Sequence, residues 1–214
     1  NYRVLREIHS TKEKGQEIML QRSEEWFAAR MGRVTASRIS DILTGTADKR
    51  RNYMLQLAAE KLTGQPQESG FVSPEMQRGI DLEPKAKAAF TARTGIIVEE
   101  TDFWIDIEMP ILGASPDGLT NCGAVLECKA PKTTTHLGYI RDKELPAKYK
   151  PQVQCQLLVT GRTHAYFVSY DDRLPAHLQL FTIRVERDQA YIQMMRSKVE
   201  LFQEELLALM GDLA

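Results

Sequence analysis

The chain has 214 residues, 43% hydrophobic and 27% charged, an ordinary globular composition that suits one domain with its own core. Its formal net charge of −1 supplies no global basic field, which argues against a passive nucleic-acid-coating protein; any surface for a polyanion is local or shared between copies. Three cysteines without Cys-x-x-Cys spacing argue against a disulfide scaffold or a zinc site, and no apolar run approaches the ~20 residues of a membrane span. The first residues lack a signal-peptide core, so the sequence reads as a soluble protein of a reducing, cytoplasmic compartment.

Residues 1–20 are weakly patterned and read as an N-terminal extension to a single domain over 21–214. Ser23 is a cap for a short helix over 24–31, with acids in its first turn and Arg30 in its last, ended by Gly32. Thr35-Ala36-Ser37 offers the cap for a second short helix over 38–43. Lys49, Arg50 and Arg51 form a basic triplet that opens a helix over 53–62; the triplet reads as a solvated helix start before a DNA contact. Pro74 after Ser73 begins another helix, on which Met76, Ile80, Glu83, Ala86 or Lys87, and Phe90 recur at steps of three and four. Glu83 therefore falls on the apolar stripe, where a carboxylate is either satisfied by a partner or part of a site. Pro84 disfavours helix at Glu83 and reads as a kink or restart.

Residues 96–98 and 103–107 read as strands, 132–136 as a polar stretch followed by a helix through Ile140, 152–159 as a helix, 164–170 and 178–185 as strands, and Asp188 as the cap of a long amphipathic helix to Met210. The expected fold is α/β, a small central mixed sheet flanked by helices.

Residues 111–131 carry the strongest chemical signal. Ser115-Pro116-Asp117-Gly118 and Asn121-Cys122-Gly123 are turn chemistry between apolar arms, which predicts a β-hairpin with a loop. Along the second arm, Val125, Glu127 and Lys129 share one face and Ala124, Leu126 and Cys128 the other. An acid and a lysine in a short apolar strand are costly to bury without compensation. Asp117, expected across the hairpin, supplies a second carboxylate, and two converging carboxylates suit the hard-oxygen coordination of Mg²⁺. The adjacent ammonium suits orienting or deprotonating a metal-bound water, a layout for metal-assisted phosphodiester hydrolysis. The bland alternative is an exposed hairpin whose Glu127 and Lys129 make a weak surface pair.

Pro116-Asp117, nine intervening residues, then Glu127-Cys128-Lys129 resembles the PD-(D/E)xK nuclease signature, and so a restriction-endonuclease-like core. Further stretches widen the resemblance. Arg30-Met31-Gly32-Arg33-Val34-Thr35-Ala36-Ser37, Arg78-Gly79-Ile80-Asp81-Leu82-Glu83, Ser115-Pro116-Asp117-Gly118-Leu119, Glu127-Cys128-Lys129-Ala130-Pro131 and Tyr149-Lys150-Pro151-Gln152-Val153-Gln154 occur in the order found in phage lambda-type (YqaJ-like) alkaline exonucleases. The similarity spans about residues 21–185.

That resemblance implies a Mg²⁺-dependent 5′→3′ exonuclease on linear double-stranded DNA, leaving 3′ single strands for recombination by single-strand annealing. It implies two ions, Mg²⁺ or alternatively Mn²⁺. Asp117 would bind both, Glu127 and the backbone carbonyl of Cys128 would complete one site, and Glu83 would join at the other. Lys129 would activate the water and Gln152 would orient it. Arg30, Ser37 and Ser115 would hold a 5′-terminal phosphate. A homotrimeric ring, a single-strand annealing protein as partner, and a phage or prophage origin in a bacterial host also follow from the resemblance. Alternatives are a restriction- or repair-type endonuclease on the same core, or a catalytically silent DNA-binding module.

Overall fold

The structure is a computed structural model that describes residue 21, residues 23–67 and residues 72–213; the expected extension over 1–20 lies outside the described residues. In chain order the elements are α1 (Glu24–Arg30), β1 (Val34–Thr35), a 3-10 turn (Ala36–Arg38), α2 (Ile39–Leu43), α3 (Ala47–Thr63), α4 (Pro74–Thr94), β2 (Val98–Glu99), β3 (Trp104–Ile105), β4 (Leu112–Ala114), β5 (Gly118–Thr120), β6 (Val125–Lys129), α5 (Thr133–Asp142), a 3-10 turn (Ala147–Tyr149), α6 (Lys150–Thr160), β7 (His164–Tyr170), a 3-10 turn (Ala176–Leu178), β8 (Leu180–Glu186) and α7 (Gln189–Asp212). The fold is mixed α/β, with mixed sheets flanked by helices, as expected.

Local chemistry accounts for most helix ends. The hydroxyls of Ser23 and Ser73 and the carboxylate of Asp188 accept the backbone N–H of Trp26, Met76 and Tyr191, the orphan donors of α1, α4 and α7. Gly32, just past α1, takes a left-handed φ of 68°. Two boundaries differ from the sequence reading. The third helix starts at Ala47 rather than Tyr53, because Thr46 caps Lys49 N–H and draws the basic triplet into the helix. The helix from Pro74 runs unbroken through Pro84 to Thr94. One missing N–H donor is tolerated there because Leu82, Ala86 and Phe90 are buried on both sides of the proline.

The stretch 111–131 is corrected more substantially. Its first arm, β4, does not pair with its second. β4 lies between β1 (parallel) and β3 (antiparallel) in a three-stranded sheet. The hairpin is instead β5–β6, closed at Asn121-Cys122-Gly123, and it belongs to a five-stranded sheet ordered β2-β5-β6-β7-β8. Ser115, Pro116 and Asp117 are thus the crossover between two sheets. The strands expected at 96–98 and 103–107 shrink to two residues each.

β6 is the centre of the larger sheet, parallel to β7 and antiparallel to β5. Its alternation sends Leu126 and Cys128 towards α4, in a cluster with Leu82, Ala86 and Phe90. Val125 points the other way, towards Val153 and Leu157 of α6. A separate core of Ile39, Leu57, Leu112, Ile192 and Phe202 joins α2, α3 and α7 to the smaller sheet.

α4 is held to the sheet by charge as well as by packing. Asp171, fully buried just after β7, accepts from Arg78 Nη2 at 2.9 Å, Thr133 Oγ1 at 2.6 Å and Arg173 Nε at 2.7 Å. Arg78 Nη2 and Lys85 Nζ also reach Asp172, at 3.1 and 3.3 Å. Burial opposes the ionisation of Asp171, but the bonds from Arg173 and Thr133 and the Arg173 charge outweigh it and hold this carboxyl below the usual carboxylate range.

A carboxyl held low contributes stability that is present above its unfolded pKa and is lost as pH falls through its folded one. Asp171→Asn should therefore cost about 3 kcal/mol at neutral pH, the scale for breaking a buried ion pair. The gap from wild type, measured by denaturant unfolding across pH, should be full above about pH 4 and narrow below it.

Candidate active site

Glu127 is 1% exposed, which rules out the bland reading of an exposed surface pair. Both of its carboxylate oxygens are occupied. Gln152 Nε2 donates to Oε1 at 2.6 Å and Gln156 Nε2 donates to Oε2 at 2.5 Å. The Lys129 ammonium makes an ion pair with Oε1. Gln152 and Gln156 are one helical turn apart on α6, so one helix face presents both amides to the strand. Sequence reading singled out Gln152 and missed Gln156, although their i,i+4 spacing was the available signal. Gln154, between them, points away: its amide donates to Glu186 O and accepts from Asp188 N–H, both at 2.8 Å.

Asp117 lies beside the same strand. Its N–H donates to Leu126 O at 3.1 Å, and its Oδ2 accepts from Cys128 N–H at 2.6 Å. Burial pushes the Asp117 carboxyl well above the ordinary carboxylate range, and the Glu127 charge pushes the same way, as does Glu83. Lys129 and the Cys128 N–H oppose that shift without cancelling it. Burial disfavours the Lys129 ammonium, yet Glu127 and Asp117 outweigh this and hold it above the usual lysine range. The Lys129 ammonium also lies 5.5 Å from the Tyr149 ring centroid, and Tyr149 packs on Phe167 with centroids 5.1 Å apart.

Glu83 comes from α4, on the other side of β6 from Gln152 and Gln156. Its carboxylate faces Lys87 at 2.8 Å, and Lys87 also reaches Glu100 at 2.8 Å. Glu83, Asp117, Cys128 and Lys129 line one groove of about 330 Å³ with Met76 and Gly79. Among the described residues, no three His, Cys, Asp or Glu side chains stand together as a ready ligand cage. The donor chemistry nevertheless fits a hard divalent ion. The side-chain donors are oxygen-only, and three carboxylates crowd two ammonium groups.

A family model described as YqaJ-like viral recombinase domain matches residues 25–163. The chain belongs to the YqaJ-like viral recombinase family. Two crystal structures of LHK-Exo, an alkaline exonuclease from Laribacter hongkongensis, superpose with TM-scores of 0.84 and 0.83. Each is 43% identical over 89% of this chain and 96% of its own, and one is a complex with dAMP. A phage-related exonuclease from Haemophilus somnus 129PT superposes with a TM-score of 0.67 at 16% identity, over 85% of this chain and 96% of that one, a likeness of fold alone. No curated protein sequence matches. This YqaJ-like protein is a nuclease with the fold of the alkaline exonucleases.

Of the remaining expected site residues of the YqaJ-like chain, Arg30 and Ser115 meet at the sheet crossover. The Arg30 guanidinium lies 4.1 Å from the Trp26 ring centroid, and Trp26 Nε1 donates to Ser115 Oγ at 3.0 Å. One indole therefore joins Arg30 to a residue two positions before Asp117. Ser37, exposed, stands on the 3-10 turn after β1 with its hydroxyl 3.3 Å from Thr35 Oγ1. Thr35 is in register with Gly113 of β4. Within the basic triplet, Arg50 makes a two-point ion pair with Glu205 of α7, at 2.5 and 3.0 Å, which is a structural role; Lys49 and Arg51 are exposed.

A carboxyl pushed up in the fold costs stability once it ionises. Asp117→Asn keeps an acceptor for Cys128 N–H and removes the like-charge repulsion. In chelator it should raise the melting temperature by about 2–6 °C, while nuclease activity is abolished. Calorimetry beside a digestion assay checks both; a lower melting temperature would contradict the charge argument.

Proposed function

We propose that this chain is a Mg²⁺-dependent 5′→3′ exonuclease on linear double-stranded DNA, leaving 3′ single strands for recombination by single-strand annealing. One observation carries the reading: a buried Glu127, ion-paired to Lys129, lies beside an Asp117 whose carboxyl is raised by burial and then by its acidic neighbours. Alkaline exonucleases as a group depend on divalent metal. LHK-Exo crystallises with dAMP, and a nucleoside monophosphate is what removal of one terminal nucleotide releases.

In this reading Asp117, Glu127, the Cys128 carbonyl and Glu83 hold two Mg²⁺ ions, with Mn²⁺ as the substitute. The ions supply Lewis-acid stabilisation of the attacking and leaving oxygens. The protein's own groups do the rest. Gln152 and Gln156 fix the orientation of the Glu127 carboxylate, one amide on each oxygen, and leave its remaining lone pairs for a metal ion. Lys129 orients the attacking water and neutralises the charge that develops at phosphorus. Arg30, Ser37 and Ser115 grip the 5′-terminal phosphate, with Trp26 setting the Arg30 plane. The single nuclease domain spans 21–214. A homotrimeric ring, a single-strand annealing partner and action in the cytoplasm of a phage-infected or lysogenic bacterium complete the proposal. Among the described residues no helix is long and apolar enough to cross a membrane.

Digestion of linear duplexes beside a covalently closed circle tests the reading. The linear DNA should be degraded from its 5′ ends with Mg²⁺ and spared in chelator, and the circle should stay intact. Cutting of the circle would make the protein an endonuclease instead. Wild type should prefer 5′-phosphorylated to 5′-hydroxyl ends. Arg30→Ala should slow digestion of phosphorylated ends roughly ten- to a hundredfold, the scale of a lost charge-assisted bond of about 1.5–3 kcal/mol, and erase most of that preference. Retention of the full preference would move the phosphate pocket away from Arg30.

A further inference from the structure

The active-site groove contains a residue that packing does not explain. Gly79 lies in the interior of α4, where glycine carries a helix-propensity penalty relative to alanine. It is not among the glycines with positive φ, so its backbone conformation is open to any L-residue. Among the described residues, a Cβ built at Gly79 would meet no neighbouring atom within 4 Å. Crowding by the described residues is not the reason for glycine here. Contrast Gly113 and Gly118, whose added Cβ would strike the Phe103 ring and Val98.

Gly79 does line the groove that holds Glu83, Asp117 and Lys129. It precedes Glu83 by four residues and follows Met76 by three, so all three residues share one face of α4. Helical side chains lean towards the N-terminus and cover the preceding turn. A side chain at 79 would therefore project into the groove on the Met76 side of Glu83, along the helix from the carboxylates.

We propose that Gly79 is a specificity-determining residue: it keeps a slot open along α4 for the sugar–phosphate backbone of the strand being cut. The inference rests on the nuclease reading above and deepens it. A polymeric substrate must lie against the helix on both sides of the reacting phosphate, whereas a small phosphodiester needs only the carboxylate end of the groove. Gly79 thus selects for access by a chain and leaves the chemistry at Glu83, Asp117 and Lys129 untouched. The rival structural role is relief of α4 near Pro84, whose missing N–H leaves Ile80 O without its intrahelical donor. That role makes the opposite prediction for stability.

The test uses the full chain as wild type, Gly79→Ala, Gly79→Leu and, as comparison, Gly211→Ala, a helical glycine near the end of α7 whose added Cβ also meets nothing. Three quantities are read: melting temperature, digestion of linear duplex DNA, and hydrolysis of thymidine 5′-monophosphate p-nitrophenyl ester. Gly79→Ala should melt about 2 °C higher yet digest duplex about tenfold more slowly, with hydrolysis of the small ester unchanged. Gly79→Leu should lose roughly a hundredfold or more on duplex while keeping ester hydrolysis. Gly211→Ala should digest duplex at the wild-type rate. A lower melting temperature for Gly79→Ala, an equal loss on both substrates, or duplex digestion at the wild-type rate would each overturn the proposal. If wild type itself fails to digest linear duplex, the nuclease reading falls first and takes this proposal with it.

Discussion

The structure depends on a carboxylate buried where carboxylates rarely go. Glu127 sits in the central strand of the larger sheet, almost without solvent, and is held there by one ammonium and two amides. A lone charge in that position would cost far more than a small domain's total stability. The compensation has to come from fixed directions. Lys129 follows two residues later on the same strand face, and α6 is seated so that residues one turn apart reach both oxygens. The docking angle of α6 on β6 is therefore constrained by electrostatics as well as by Val153 and Leu157 in the core beneath.

The same strand organises the opposite side. Leu126 and Cys128 pack against α4, and α4 brings Glu83 to the groove from the far face of the sheet. Helix packing alone leaves a helix free to slide along its ridges by small amounts. The contacts of Arg78 and Lys85 with Asp171 and Asp172 remove that freedom. Asp171 also receives Thr133, four residues after Lys129 in the chain. One buried carboxylate thereby fixes the helix that carries Glu83 relative to the segment that leaves the catalytic strand.

The site is built to be uncomfortable without a cation. Asp117 is buried beside Glu127 and Glu83, and its own hydrogen bond to Cys128 N–H does not offset their repulsion. Lys87 and Lys129 each neutralise one carboxylate, and the excess falls on the residue between them. Such an arrangement lowers the stability of the folded chain and raises its affinity for a hard divalent ion. The trade-off is the usual one for active sites that concentrate like charge.

Much of this was legible in residue order, because it depends on short spacings. Alternation along 125–129 placed Glu127 and Lys129 on one face; the period of α4 put Glu83 on its buried stripe; Ser23, Ser73 and Asp188 were recognisable caps. The nuclease family was legible in the ordered motifs. What residue order left open depends on partners far apart in the chain. Nothing local distinguishes a strand that pairs with its neighbour in sequence from one that pairs with β1 some 80 residues earlier, so residue order puts β4 in the hairpin, although it puts Asp117 correctly across from β6. Gln156 and Asp171 are ordinary polar residues until α6 closes on β6 and α4 closes on β7. Their meaning arises from burial, which removes water as an alternative partner, and burial is decided only when distant elements pack.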